Sequence, residues 1–284
     1  MRFLGSRSCF AMALFAFVAL SFGLVSPRAA SAQPFGAWLT LTGGSPSYVE
    51  VGHSPALNPS NRLTVEAWVN VADAHDGNCS SIVGKNWRQS WWVGVCGNSL
   101  RSYLKGSSSP RTGGTIASGG VFTHIAVVYT GTRRLHYING EIALSVPETG
   151  PLTSSTAPLR IGSDVEYEFT PSGSIDDLRI WNTARTQAQI RQSINKDLEG
   201  ALPGLVAHYK FNGNVQDSRG NHHGTIIGSQ TGFLNLPALT NCEPGSSNLC
   251  LQGRFTVGTR FRTSAVPGSP FDGFATTPAP RIER

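Results

Sequence analysis

The chain has 284 residues, with 23 lysines and arginines against 17 aspartates and glutamates, a formal net charge of +6. Three of the cations, Arg2, Arg7 and Arg28, lie within residues 1–32, and Arg254, Arg260, Arg262, Arg281 and Arg284 lie beyond residue 250 against Asp272 and Glu283. The stretch between is charge-balanced, which excludes the basic stripe or patch that a nucleic-acid-binding surface needs.

In chain order, Arg2 and Arg7 precede an apolar run from Cys9 to Val25, and Ala30-Ser31-Ala32 supplies a small-residue cleavage site. This is the pattern of a secretory signal peptide over residues 1–32, cut after Ala32. The mature chain is therefore expected to be secreted, periplasmic or on the cell surface, with no membrane span after cleavage. Frequent glycine (32) and proline (17) with few charges predict many turns and short strands. Alternating or apolar β-rich runs fall at 38–41, 48–51, 63–71, 80–83, 91–95, 100–104, 121–129, 135–138, 142–146, 159–162, 174–181 and 205–211. Turn signals separate them at Gly43-Gly44, Asn58-Pro59, Gly113-Gly114, Gly119-Gly120 and Gly131. Asn139-Gly140, flanked by two such runs, predicts a tight hairpin.

Only Thr186 to Leu198 has helical spacing, with Ile190, Ile194 and Leu198 four apart and Thr183 or Thr186 as cap. More than ten strands and one short helix predict an all-β fold, a two-sheet antiparallel jelly-roll sandwich over residues 33–230. Residues 231–263 read as a short Cys-bounded β extension, and 264–284 as a Pro/Ser/Gly-rich tail of disordered composition.

Cys9 leaves with the signal peptide, and Cys79, Cys96, Cys242 and Cys250 remain, an even number suited to an oxidising compartment. Of the three pairings, Cys79 with Cys96 and Cys242 with Cys250 are favoured, because each joins strands predicted to be adjacent. A zinc site of all four competes, but none has the C-x2-C spacing such sites use.

Several residues carry candidate chemistry. Asp164, Glu166 and Glu168 alternate, so on a strand they share one face. A rise of about 3.3 Å per residue puts the first two roughly 6.6 Å apart, near the separation of a glycosidase carboxylate pair. Trp91 and Trp92 are consecutive, so one is expected to face the core and the other outward. Trp87, beside Asn86, Arg88 and Gln89, offers a flat apolar face with amide and guanidinium donors, the mixture used by sugar sites and protein hot spots. Trp68 and Trp181 are expected in the core. Asp217-Ser-Arg-Gly-Asn reads as an Asx-type turn with its glycine left-handed. Of Asp176 and Asp177, the inward one is expected to cap buried backbone N–H groups. No Gly-x-Ser-x-Gly elbow supports a nucleophilic serine.

Tyr48-Val-Glu-Val51, Leu63-Thr-Val-Glu-Ala-Trp-Val69, Phe122-Thr-His-Ile-Ala-Val-Val-Tyr129, Tyr137-Ile-Asn-Gly140 and Gly173-Ser-Ile-Asp-Asp-Leu-Arg-Ile-Trp181 come in an order and spacing that resembles the laminin-G-like, concanavalin A-like jelly roll of secreted bacterial proteins. Gly204 to Asn214 and Asp217 to Asn221 look like the strand and loop that often follow this domain, and the chain is distantly similar to pentraxins. Cys242 to Arg262 resembles the opening of a small β-module of secreted bacterial proteins, cut short here. The resemblance implies a sandwich that binds glycans, proteins or calcium, with His124 as a packed core imidazole. By similarity to pentraxins, Asp164 and Glu166 would meet Asp76 and Asn78 around one calcium ion, whose six to eight oxygen ligands would include carbonyls and water. Laminarinase-like relatives carry Glu-x-Asp-x-Glu for cutting polysaccharides. Here the first two are swapped, which points away from catalysis.

The sequence thus predicts a secreted, non-catalytic binding module rather than an enzyme. An extracellular glycan is the first expectation, held by Asn86, Trp87, Arg88 and Trp92 with the calcium set nearby. A protein-adhesion module is the alternative, and a polysaccharide hydrolase stands behind both.

Overall fold

In a computed structural model, residues 36–235 are described, apart from 45–46, 74–78, 107, 118, 167–169, 201 and 229–230. The described segment contains fifteen strands: β1 (Ala37–Gly44), β2 (Tyr48–Val51), β3 (Leu63–Asp73), β4 (Cys79–Gly84), β5 (Trp92–Cys96), β6 (Ser99–Tyr103), β7 (Arg111–Thr115), β8 (Thr123–Tyr129), β9 (Arg133–Ile138), β10 (Glu141–Pro147), β11 (Leu159–Ile161), β12 (Thr170–Trp181), β13 (Leu205–Tyr209), β14 (Gly224–Ile227) and β15 (Thr231–Asn235). One helix, α1 (Gln187–Ser193), lies between β12 and β13.

Every strand pairing is antiparallel. One sheet runs β10-β9-β8-β3-β12-β1-β15, with β13 also on β12; the other runs β14-β2-β11-β4-β5-β6-β7. The alternation explains the sandwich. In β3, Leu63, Val65, Ala67 and Val69 share one face and join the buried cluster with Val93, Val95, Leu159 and Ile161 of the facing sheet. This is the predicted two-sheet jelly-roll architecture. The Asn139-Gly140 hairpin is present, with φ of 50° and 79° at the two turn residues, the left-handed pair that a tight two-residue connection needs.

Three elements depart from the prediction. Gly113-Gly114, read as a turn, is the middle of β7. A Cβ on Gly113 would lie 3.1 Å from that of Leu144, and one on Gly114 would lie 2.7 Å from the Ile138 side chain, so the glycines are what lets this edge close on β9 and β10. β15 pairs with β1 and carries the sheet past residue 230, to Asn235. α1 ends at Ser193 rather than Leu198. Its start is the expected one, a capping box between Thr186 and Gln189. Its last carbonyls are taken by side chains from the sheet below: Ser193 and Lys196 accept from Arg179, and Ile194 accepts from the Trp68 indole at 3.1 Å. With those acceptors engaged, further helical turns have no claim on them.

Beneath α1, the outer face of the sheet holds charge that the sequence pattern did not reveal. Glu66 and Arg179 are fully buried. Glu66 Oε1 accepts from the Trp181 indole at 2.9 Å and from Arg185 at 2.5 Å. His124 packs edge-on against Trp68 with ring centroids 5.3 Å apart, and burial lowers its pKa to about 4. It is the packed imidazole expected of it, and Trp68 and Trp181 are buried as expected. Asp177 lies on this outer face with Arg179. It sits at φ 50° in a β-bulge of β12 and bonds Arg179 and His208. Burial opposes its ionisation, but the His208 hydrogen bond and the Arg179 charge outweigh this and hold it below the usual carboxylate range.

Candidate functional site

The expected ligand residues and the described part of the expected metal set, Asp164 and Glu166, converge at one end of the second sheet. The turn from Asn86 to Ser90 joins β4 to β5. Asn86 adopts φ 87°, a left-handed conformation that asparagine tolerates, and its Oδ1 accepts the backbone N–H groups of Arg88 (3.0 Å) and Gln89 (3.2 Å). Against this turn lies Asp164, just after β11. Asp164 is buried, and its Oδ2 accepts from Trp87 N–H at 3.1 Å while its Oδ1 accepts from Glu166 N–H at 3.0 Å. Burial raises its pKa, against the pull of backbone N–H groups of Glu166, Trp87 and Asn86. The carboxylate therefore acts as a clamp that fixes the turn from below.

On top of the clamp sit the exposed Arg88 and Glu166 and the half-buried Trp87 and Tyr103. The Arg88 guanidinium lies 5.2 Å from the Trp87 ring centroid, and Tyr103 tilts against the same indole at 5.5 Å. Arg88 is 61% exposed and reaches Glu166 only at 3.9 Å, so it is free to leave the ring. Glu166 Oε1 accepts from the Asn86 amide at 3.2 Å. The Trp87 indole N–H has no acceptor among the described residues. Tyr103 was not singled out from the sequence; its register opposite Trp92 in β6 is the signal that could have found it.

Trp92 is a correction. It does lie on the face opposite Trp91, which is in the core, but it is buried rather than exposed. The indole lies flat over Gly84 and Gly94, where a Cβ would come within 2.7 and 2.2 Å of it, and its N–H donates to Ser81 Oγ. Two glycines make the groove that covers it, so Trp92 supports Tyr103 (5.5 Å) from below and offers no surface of its own.

The described part of the expected calcium set does not fit a resident cation. Asp164 has both oxygens committed to N–H donors, and Glu166 shares its oxygens with an amide and a guanidinium, which repels a second cation. Asp76 and Asn78 lie outside the described residues, as does Glu168. Among the described residues no three His, Cys, Asp or Glu side chains gather as a metal cluster. The same bonds and its burial tie Asp164 into the turn and away from solvent. Asp217 is the expected Asx turn: it accepts the N–H groups of His208, Arg219, Asn221 and His222, with Gly220 at φ 82°. The Cys79–Cys96 disulfide is present, joining directly opposed residues of β4 and β5; Cys242 and Cys250 fall outside the described residues. No helix among the described residues is long and apolar enough to cross a membrane.

Residues 43–191, just over half of the chain, match the family model of the concanavalin A-like lectin/glucanases superfamily. Among solved structures the fold is similar to a Bacteroides ovatus protein assigned to carbohydrate binding, at 20% identity and a TM-score of 0.60, over 72% of this chain and 61% of that one. It is similar also to a heptameric SAP-like pentraxin of Limulus polyphemus, at 16% identity and a TM-score of 0.50, over 69% and 94% of the two chains. The chain thus spans about six-tenths of the Bacteroides protein. Likeness at these identities shows the fold. No curated protein sequence matches the chain.

Proposed function

The chain belongs to the concanavalin A-like lectin/glucanases superfamily, and from that premise we propose that it is an extracellular, non-catalytic carbohydrate-binding module whose ligand rests on the Asn86–Ser90 turn. One observation carries the reading. A buried carboxylate fixes a surface turn that carries the half-buried Trp87 indole beside the exposed Arg88 guanidinium and Gln89 amide, so the backbone of the turn loses little conformational entropy when a sugar docks. The sugar ring displaces Arg88 from the Trp87 face and stacks there, while Arg88, Gln89 and Glu166 bond its hydroxyls. The assignment of the Bacteroides ovatus relative to carbohydrate binding supports the same class of ligand.

Two alternatives are less well supported. Protein adhesion calls for a broad apolar patch. The exposed large hydrophobic residues among those described are Val121 in the loop before β8, Ile142 in β10 and Ile226 in β14, on separate segments of the fold. Glycoside hydrolysis calls for two carboxylates free to act across a bond, and Asp164 is tied to backbone N–H groups.

The test is a glycan array with the mature protein and its Trp87→Ala variant, each in millimolar calcium and in EDTA. Binding by the wild type in both buffers, lost in Trp87→Ala, is the expected result. Wild-type silence on every glycan, or a variant that binds as well as wild type, overturns the proposal.

A further inference from the structure

A second feature lies at the start of β3, outside the turn just described. The segment between β2 and β3 forms a 3-10 turn, Pro55–Leu57, capped by Ser54, whose Oγ accepts from Ala56 N–H. Leu57 is buried in the core and its carbonyl accepts from the Trp91 indole at 3.0 Å. Asn58 is tied in both directions to Ser155, its amide donating to the carbonyl at 2.9 Å and its Oδ1 accepting the N–H at 3.3 Å. Two prolines, a cap, a core anchor and a pair of amide bonds thus hold this loop rigid. Beside it, the residue after β12, Asn182, is fixed by its backbone N–H bond to Gly204 at 2.9 Å.

Between them opens a pocket of about 420 Å³, within the size range of small-ligand sites. Ser60, Asn61, Arg62 and Asn182 are among the residues that line it. All four residues are exposed, and none of these side chains makes a hydrogen bond or ion pair among the described residues. No carboxylate and no aromatic ring lines the pocket. A pocket lined by one unpaired cation and two amides able both to donate and to accept, with no stacking platform, selects a ligand by its chemistry. That ligand carries a carboxylate for the guanidinium fork and several hydroxyls for the amides. A nucleobase has nothing to stack on, and a neutral sugar leaves the guanidinium's charge without a counter-charge.

We propose that this pocket is a second carbohydrate subsite, for a uronic-acid residue of an acidic oligosaccharide, with the carboxylate on Arg62 and the ring hydroxyls on Asn61 and Asn182. The inference extends the carbohydrate reading but uses none of the residues of the Trp87 turn. A chain of hydrogen bonds links the two sites, since Ser155, held by Asn58, also reaches Gln89 of that turn at 3.4 Å.

The probe is a tetramer of galacturonic acid, with its methyl ester as the uncharged counterpart of the same shape. Titration calorimetry on the mature chain compares wild type, Arg62→Gln, Asn182→Asp and Trp87→Ala. Expected are binding of the acid over the ester, a loss of roughly tenfold or more in Arg62→Gln and in Asn182→Asp, and a change within about twofold in Trp87→Ala. Arg62 and Asn182 are exposed, and unchanged melting curves verify that the variants fold. Equal binding of acid and ester, no binding of the acid, full binding by Arg62→Gln, or an equal loss in Trp87→Ala overturns the subsite. Inorganic phosphate and acetate as competitors tell anion capture from sugar recognition: displacement by either one at concentrations comparable with the tetramer also overturns it. Failure of the Trp87 site reads out separately, as neutral-glycan binding that is absent in the wild type or unchanged in Trp87→Ala.

Discussion

Replacing Asp164 with alanine removes the clamp under the Asn86–Ser90 turn. Two backbone N–H groups, of Trp87 and Glu166, lose a buried charged acceptor at 3.1 and 3.0 Å. A hydrogen bond to a charged group contributes about 1.5–3 kcal/mol, so the pair contributes about 3–6 kcal/mol. Against this stands the cost of burying the carboxylate, visible in its raised pKa, which the variant no longer bears. The net expectation is a loss of about 3 kcal/mol, which at a urea m-value of about 3 kcal/mol/M moves the unfolding midpoint down by about 1 M. Tryptophan fluorescence follows the transition, and the measurement is made in calcium and again in EDTA. The same shift in both buffers is expected, because the clamp is made of N–H groups. A midpoint moved by less than about 0.3 M would refute the clamp, since the worked loss is three times that. So would a wild-type protein that drops by the full amount in EDTA, because Asp164 would then be serving a cation.

Three further outcomes follow from the structure. Serine at Cys79 and Cys96 removes a cross-link spanning 17 residues of sequence, and thermal and urea unfolding should show a loss of about 3 kcal/mol with the fold retained; a loss below about 1 kcal/mol would contradict this. His124 and His136 are buried with pKa values of about 4, below the unfolded value of 6.5, so their contribution is intact above pH 6.5 and lost as the pH falls toward 4. Together they should cost about 4 kcal/mol between pH 7.5 and 5, partly offset by Asp164, whose raised pKa acts in the opposite sense, and urea midpoints flat over that range would exclude it. Gly94→Ala puts a Cβ 2.2 Å from the Trp92 ring and 2.4 Å from the Ser80 carbonyl, so it should destabilise by about 1–3 kcal/mol and shift the indole emission, and unchanged emission would show that Trp92 does not lie on that glycine.

The strands that alternate cleanly, such as β3 and β8, were legible because a half-buried sheet stamps a period of two on its residues. The Asn139-Gly140 turn was legible because few residue pairs accept two positive φ angles. β7 was not, since glycines that admit a neighbouring strand look the same in sequence as glycines that make a turn. Glu66, Arg134 and Arg179 were not either: a charge on a strand reads as a surface position, and what buries it comes from afar, as when Arg185 reaches Glu66 from 119 positions away. At the candidate site, sequence supplied the residue types but not their relations. Asp164 and Trp87 are 77 positions apart, and only the pairing of β11 with β4 sets one beneath the other. Trp92 shows the converse, for its face followed from alternation while its exposure depended on two glycines, Gly84 across the ladder and Gly94 two residues along its own strand.

The pairing of β1 with β15 has a mechanical consequence. Ala37 stands opposite Asn235 at one end of their ladder, and the opposite end closes at Leu41 and Thr231. A pull applied to the backbone at residues 37 and 235 therefore loads the outermost rung alone, and the rungs part in turn as a zipper opens. The same pull on a ladder gripped at opposite ends would stress all rungs at once. The first yielding of this sandwich under tension is thus a low-force peeling of β15 that leaves β1 bound to β12 and the Trp87 turn, on the other sheet, undisturbed.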